Sequence, residues 1–165
     1  MEKYYTWNKG IFDSNYQVYE AGQIKSTMFF DAWRKEAKII TQQKSYILKN
    51  NGFIDPTTQI YDNMHQIIGS ITYNTWKTKG MVILNSGEQY TFDFTNSWFS
   101  TWVITNFKDK KISYDSSTSS GTVMANTDDE LMLLTGLYIR AYFNNLLIFV
   151  ILVAVIFPII FKGCL

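Results

Sequence analysis

The chain reads as a mainly β protein: about eleven or twelve antiparallel strands closed into a barrel around one central hydrophobic helix, with a C-terminal transmembrane extension. Three observations predict this. From Tyr16 to Met124, β-branched and aromatic residues alternate with polar ones, and turn residues recur roughly every eight to twelve positions. A segment from Asp128 to Phe143 is apolar around almost its whole helical circumference, interrupted only by Thr135, Gly136 and Arg140 within its hydrophobic part. From Leu146 to Phe161 no side chain is charged or able to hydrogen-bond. The expected organisation is therefore an N-terminal arm (1–15), a barrel (16–143) with its plug helix at 128–143, and a membrane segment (144–162).

Taken in order, the strands are expected at Tyr16–Ala21, Ile24–Phe30, Ala37–Thr41, Ser45–Lys49, Gln59–Asp62, Ile67–Tyr73, Met81–Leu84, Gln89–Thr95, Trp98–Thr105, Lys111–Tyr114 and Thr122–Met124. Turn chemistry separates them. Glu20-Ala-Gly22-Gln, Asn50-Asn-Gly52, Asn85-Ser-Gly87-Glu and Lys108-Asp-Lys-Lys111 place Gly, Asn or Asp where a hairpin needs positive φ or a capped turn. Hairpins in series imply an antiparallel meander. Asp115-Ser-Ser-Thr-Ser-Ser-Gly121 has the composition of a flexible loop and lacks the Gly and Lys of a phosphate cradle. At an offset of 43, Ile24, Trp33, Ala37, Ile39 and Ile40 echo Ile67, Trp76, Gly80, Val82 and Ile83, which suggests a duplicated strand unit.

The change to helix is announced by Thr127-Asp-Asp-Glu130, which has the form of a capping box, with its acids at the positive end of the helix dipole. A barrel this wide needs a plug. A helix is about 10–12 Å across, and the apolar segment beginning at Asp128 has the character to supply one. Of the residues Leu146–Phe161, all but Ala154 and Pro158 are Leu, Ile, Val or Phe. Bilayer insertion of such a run is favoured by about 4–8 kcal/mol. The run alone spans ~24 Å, so its flanks, including Asn144 and Asn145, are needed to reach the ~30 Å hydrocarbon thickness. The rival reading is a buried core helix, but Asp128–Phe161 as one helix would be roughly 50 Å long, about twice the height of a small barrel. One half can be core and the other must leave it.

Composition narrows the function. With 15 basic and 14 acidic residues the chain has no bulk field to attract a polyanion, which argues against a nucleic-acid partner. No basic-then-apolar leader opens the chain, which begins MEKYYTWNKGIF. Lys108, Lys110, Lys111 and Arg140 precede the apolar run, against Lys162 after it. The expected location is a single-pass membrane protein with its barrel in the cytoplasm. Cys164 fits no prenylation box and is read as an inert thiol.

Chemistry-bearing motifs are few. His65, the one histidine, falls in a turn, no Gly-x-Ser-x-Gly elbow occurs, and His65 and Cys164 lie too far apart in sequence to suggest a zinc motif. Neither an enzyme activity nor a cofactor is expected. Five Trp, eleven Tyr and twelve Phe are the surplus. Trp98, Phe99 and Trp102 are assigned to barrel packing, whereas Tyr4, Tyr5 and Trp7 fit packing and a membrane interface equally. Basic residues gather at Arg34-Lys35 with Lys38, at Lys77 and Lys79, and at Lys108, Lys110 and Lys111. Lys77, Lys79, Lys108, Lys110 and Lys111 are the candidates for contact with lipid headgroups, each worth about 1 kcal/mol near an anionic leaflet.

One set of motifs resembles a known family. Ile60-Tyr-Asp62, Gln66-Ile-Ile-Gly69-Ser-Ile71, Trp76, Met81-Val-Ile83, Gly87-Glu-Gln-Tyr90, Trp98 and Trp102-Val-Ile104, followed by the apolar helix, are similar to the tubby C-terminal-like group. That group includes the LURP-one-related proteins and the phospholipid scramblases. The resemblance covers Tyr16 to Phe143 and implies a twelve-stranded barrel around a hydrophobic helix. It also permits a phosphoinositide-type site of Lys and Arg on the barrel surface, without locating one. This chain departs from the pattern by its second apolar stretch. The expected function is a non-catalytic domain, anchored in the membrane, that binds lipid headgroups or a protein partner. The alternatives are a scramblase-like lipid transporter and a soluble regulatory barrel whose whole terminal helix is internal.

Overall fold

The computed structural model describes residues 2–10, 14–31, 36–52 and 56–162, with side chains to Ile156. Twelve strands form a closed barrel: β1 (Lys3–Lys9), β2 (Asn15–Glu20), β3 (Gln23–Asp31), β4 (Glu36–Ile40), β5 (Ser45–Asn51), β6 (Thr57–Tyr61), β7 (Ile67–Asn74), β8 (Lys79–Leu84), β9 (Gln89–Phe94), β10 (Thr101–Thr105), β11 (Lys111–Ser116) and β12 (Ser120–Ala125). Each strand pairs antiparallel with its sequence neighbours, and β1 pairs with β12 to close the ring. Among the described residues one helix, α1 (Glu130–Lys162), follows.

Alternation sets the wall. Tyr5, Trp7, Tyr16, Val18, Ile39, Leu48, Ile60, Ile71, Val82, Phe92, Trp102, Ile104, Ile112, Tyr114 and Val123 are buried, and their chain neighbours mostly face outward. The plug is α1 itself: Leu131–Leu134, Leu137, Tyr138, Ile139, Ala141 and Phe143 are all buried. Tyr114 Oη anchors it by donating to the carbonyls of Met132 and Leu133 at 3.2 and 2.9 Å. The character of the same helix then reverses. Leu147, Ile148, Phe149, Val150, Ile151, Leu152, Val153, Val155 and Ile156 are exposed, so no strand encloses them. At 33 residues the helix is about 50 Å long, and it is long and apolar enough to cross a membrane.

Three expectations are corrected. The first residues are not an arm: Lys3–Lys9 is a strand of the barrel, and its inward Tyr5 and Trp7 carry core. Trp98 is not on a strand. Asn96 Oδ1 accepts from the N–H groups of Ser100 and Thr101, and Phe99 takes φ +56°, so a capped loop holds Trp98 outward and β10 begins only at Thr101. The serine-rich stretch is a tight hairpin rather than a flexible loop. Ser117 N–H donates to the Ser120 carbonyl at 2.9 Å, and Gly121 lies so close to the Asp115 carbonyl that a Cβ would overlap it.

The helix start also differs from the expected capping box. Asp129 is the cap, its Oδ1 accepting from Met132 N–H at 3.1 Å, while Glu130 Oε2 accepts from Gln42 N–H at 3.1 Å across the barrel end. Thr127 lies outside the first turn. The echo at offset 43 maps the β3–β4 hairpin onto β7–β8. Ala37 and Ile39 are buried like Gly80 and Val82, while Ile24 and Ile40 are exposed like Ile67 and Ile83. Both units carry a β-bulge at the same place, with Lys25 and Ile68 as the extra residues. Trp33, Arg34, Lys35 and Cys164 lie outside the described residues.

Candidate functional site

Antiparallel order gives the barrel two unlike ends. The helix enters at one, where the β2–β3, β4–β5, β6–β7, β8–β9 and β10–β11 turns lie, and leaves at the other, which carries the β7–β8, β9–β10 and β11–β12 turns. The five lysine candidates divide between them. Lys77 sits in the β7–β8 turn at the exit end, and Lys79 beside it is 2.5 Å from Asp93. Lys108 and Lys110 belong to the β10–β11 turn at the entry end, and Lys111 opens β11 there. Lys110 Nζ is 2.6 Å from Glu88 and 3.2 Å from Tyr90 Oη, and the Glu88 hydrogen bond holds its pKa above the ordinary value despite partial burial. Five lysines therefore do not form one patch. His65 takes φ +59° in the turn that Asp62 caps by accepting from Met64 and Gln66 N–H, as the turn chemistry predicts.

The entry end is closed by an ionic latch. The bulge between Val18 and Tyr19 turns Lys25 inward, where its side chain is only 6% exposed. Its ammonium meets Glu20 at 2.8 Å, Asp128 at 3.0 Å and Glu130 at 3.8 Å. Burial opposes the charge, but hydrogen bonds to Glu20 and Asp128 outweigh it and raise the lysine pKa. Asp128 also receives Lys3 at 2.6 Å and Tyr5 Oη at 3.1 Å. The hydrogen bond from Lys3 is the largest influence in lowering its pKa to about 2. This cluster ties β1, β2 and β3 to the start of α1.

The exit end has the opposite character. Trp76 and Trp98, on adjacent hairpins of that rim, are 97% and 88% exposed. Just inside the rim lies Arg140, only 8% exposed although it is a cation in an apolar helix. Its guanidinium lies 4.8 Å from the ring centre of Trp102 and 5.4 Å from that of Trp7, and Nη2 donates to Ser116 Oγ at 3.0 Å. Trp102 stacks on Tyr114 with ring centres 4.9 Å apart, and Trp7 packs at 5.8 Å from Tyr16. Arg140 Nε, Trp7 Nε1 and Trp102 Nε1 are buried without an acceptor. Burial lowers the Arg140 pKa from its ordinary value, with Tyr16 opposing.

Elsewhere inside the barrel, Thr58 Oγ1 shares hydrogen bonds with Tyr73 Oη at 2.7 Å and Tyr138 Oη at 3.2 Å. Among the described residues no group of three His, Cys, Asp or Glu side chains is placed to hold a metal ion. The sequence offered one signal for the Arg140 cluster, a lone cation in a segment apolar on every side, and Trp7 lay in a stretch to which no strand was assigned. Comparison with protein-family models, with curated proteins and with solved structures finds no match for this chain.

Proposed function

We propose that this protein is a non-catalytic, membrane-anchored barrel whose exit end rests on a bilayer and binds lipid headgroups or a protein partner there. One observation carries the reading: Leu131–Ala141 and Phe143 of α1 are buried, and the helix then leaves the barrel with the apolar side chains Leu147–Ile156 exposed. Residues 145–162 give a rod of ~27 Å, close to the ~30 Å of a hydrocarbon core. Trp76 and Trp98 on the rim support the same docking, since tryptophan favours the membrane interface.

The basic residues on the barrel side of the span, against Lys162 beyond it, support a cytoplasmic barrel, and protease protection in sealed vesicles checks that side. Membership of the tubby-like group is kept as part of the proposal. The barrel round an apolar helix suits that group, but a shared architecture does not decide ancestry or task. Leu147–Ile156 offer no polar track for a lipid headgroup, so nothing favours the scramblase-like alternative.

Flotation tests the proposal. The full chain is expected to rise with liposomes and to resist carbonate and high-salt extraction, whereas a chain ending at Asn144 stays in solution as a cooperatively folded β protein. A full chain released by carbonate, or a truncated chain that aggregates without a near-UV signal, overturns it.

A further inference from the structure

We propose that Arg140, with the indoles of Trp7 and Trp102, forms a site for the phosphate of an anionic phospholipid at the exit mouth of the barrel. This rests on the membrane reading above and adds the ligand and the residues that take it. A buried cation is costly unless it is paired, and among the described residues no carboxylate lies within ion-pair reach of Arg140. Two aromatic faces and one hydroxyl are its partners, and the Ser116 hydroxyl also donates to the Ser100 carbonyl at 3.1 Å. The cluster thus holds buried donors without acceptors, Arg140 Nε and Trp102 Nε1, while Trp7 Nε1, also without an acceptor, packs against Gly121. An oxyanion supplies what is missing, both a negative charge and several acceptor oxygens. A guanidinium suits phosphate in particular because its planar fork matches two phosphate oxygens.

Position selects the source of that phosphate. Arg140 precedes the first residue of the apolar run, Leu146, by six residues, or ~9 Å along the helix. The headgroup layer extends roughly 5–8 Å beyond each face of the hydrocarbon core, so Arg140 lies just outside it, within reach of its long side chain. The residues around Arg140 belong to the exit ends of their strands: Trp7 in β1, Tyr16 in β2, Trp102 in β10 and Ser116 closing β11. A bilayer phosphate is therefore the nearest oxyanion once the helix is inserted.

The test uses the full chain in a neutral detergent, melted with added phosphatidylglycerol, phosphatidylcholine or inorganic phosphate. Phosphatidylglycerol at saturation is expected to raise the Tm by roughly 5–10 °C, with little effect from phosphatidylcholine or millimolar phosphate. Arg140→Gln, with near-UV circular dichroism confirming its fold, is expected to lose that shift. Should Arg140→Gln not fold, Arg140→Lys keeps the charge without the fork and is expected to lose at least half of the shift. An unchanged shift in the folded variant, or none in the wild type, overturns the site. An equal response to millimolar inorganic phosphate overturns the lipid as its source. If the wild type floats with liposomes yet shows no phosphatidylglycerol effect, this inference fails while the membrane reading stands; if it does not float, the membrane reading itself fails.

Discussion

Gly136 shows how one residue seats the plug. A Cβ built there would overlap the phenolic oxygen and ring carbons of Tyr114, whose hydroxyl holds the carbonyls of Met132 and Leu133. By helix propensity alone Gly136→Ala would gain about 1 kcal/mol. Overpacking against a rigid buried ring costs ~1–3 kcal/mol, and the second effect is expected to win. Thermal melting of Gly136→Ala should therefore show a lower Tm than wild type, and a raised Tm would mean that the plug has slack at this level. At the same scale, Arg140 was visible in the sequence only as an anomaly. Trp7 and Trp102 stand almost a hundred positions apart, and only closure of β1 on β12 brings both rings to the guanidinium.

Among the elements, α1 and the regular strands were legible because period-two and all-round apolar patterns follow directly from which faces are buried. β1 was not, because exposed Tyr4 beside buried Tyr5 blurs its alternation, and its pairing with β12 depends on closure rather than on a local hairpin. The cap moved from Thr127 to Asp129 for a tertiary reason: Glu130, which a capping box would use locally, is drawn to Gln42, and Asp128 to Lys25. That latch has a pH signature. Asp128 drops from an ordinary 3.8 to about 2 in the folded chain, so its contribution to stability is complete above about pH 4 and is lost as pH falls toward 2. Asp128 is half exposed, so the effect is modest after solvent screening. Acid titration of Asp128→Asn is expected to show lower stability than wild type at neutral pH and a shallower loss between pH 4 and 2. Parallel curves would place the acid sensitivity elsewhere.

For the molecule as a whole, the polarity of the barrel matters more than any single patch. The five lysines chosen from sequence were local clusters, and residue spacing could not say that Lys77 and Lys110 would face opposite ends. What spacing could show was that one apolar stretch had to serve two environments. If the exit end meets lipid, bromine placed near the headgroups should quench the wild type more strongly than a Trp76→Phe, Trp98→Phe double variant, in which Trp7 and Trp102 remain at the mouth. An undiminished quenching in the double variant would put Trp76 and Trp98 away from the bilayer. The unbroken α1 also has a consequence for biogenesis. Because it follows all twelve described strands, a ribosome delivers the wall before its filling, and the interior has no plug until α1 emerges. If the exposed half of the same helix enters a bilayer, as proposed, then filling the interior and reaching the membrane are bound into a single event.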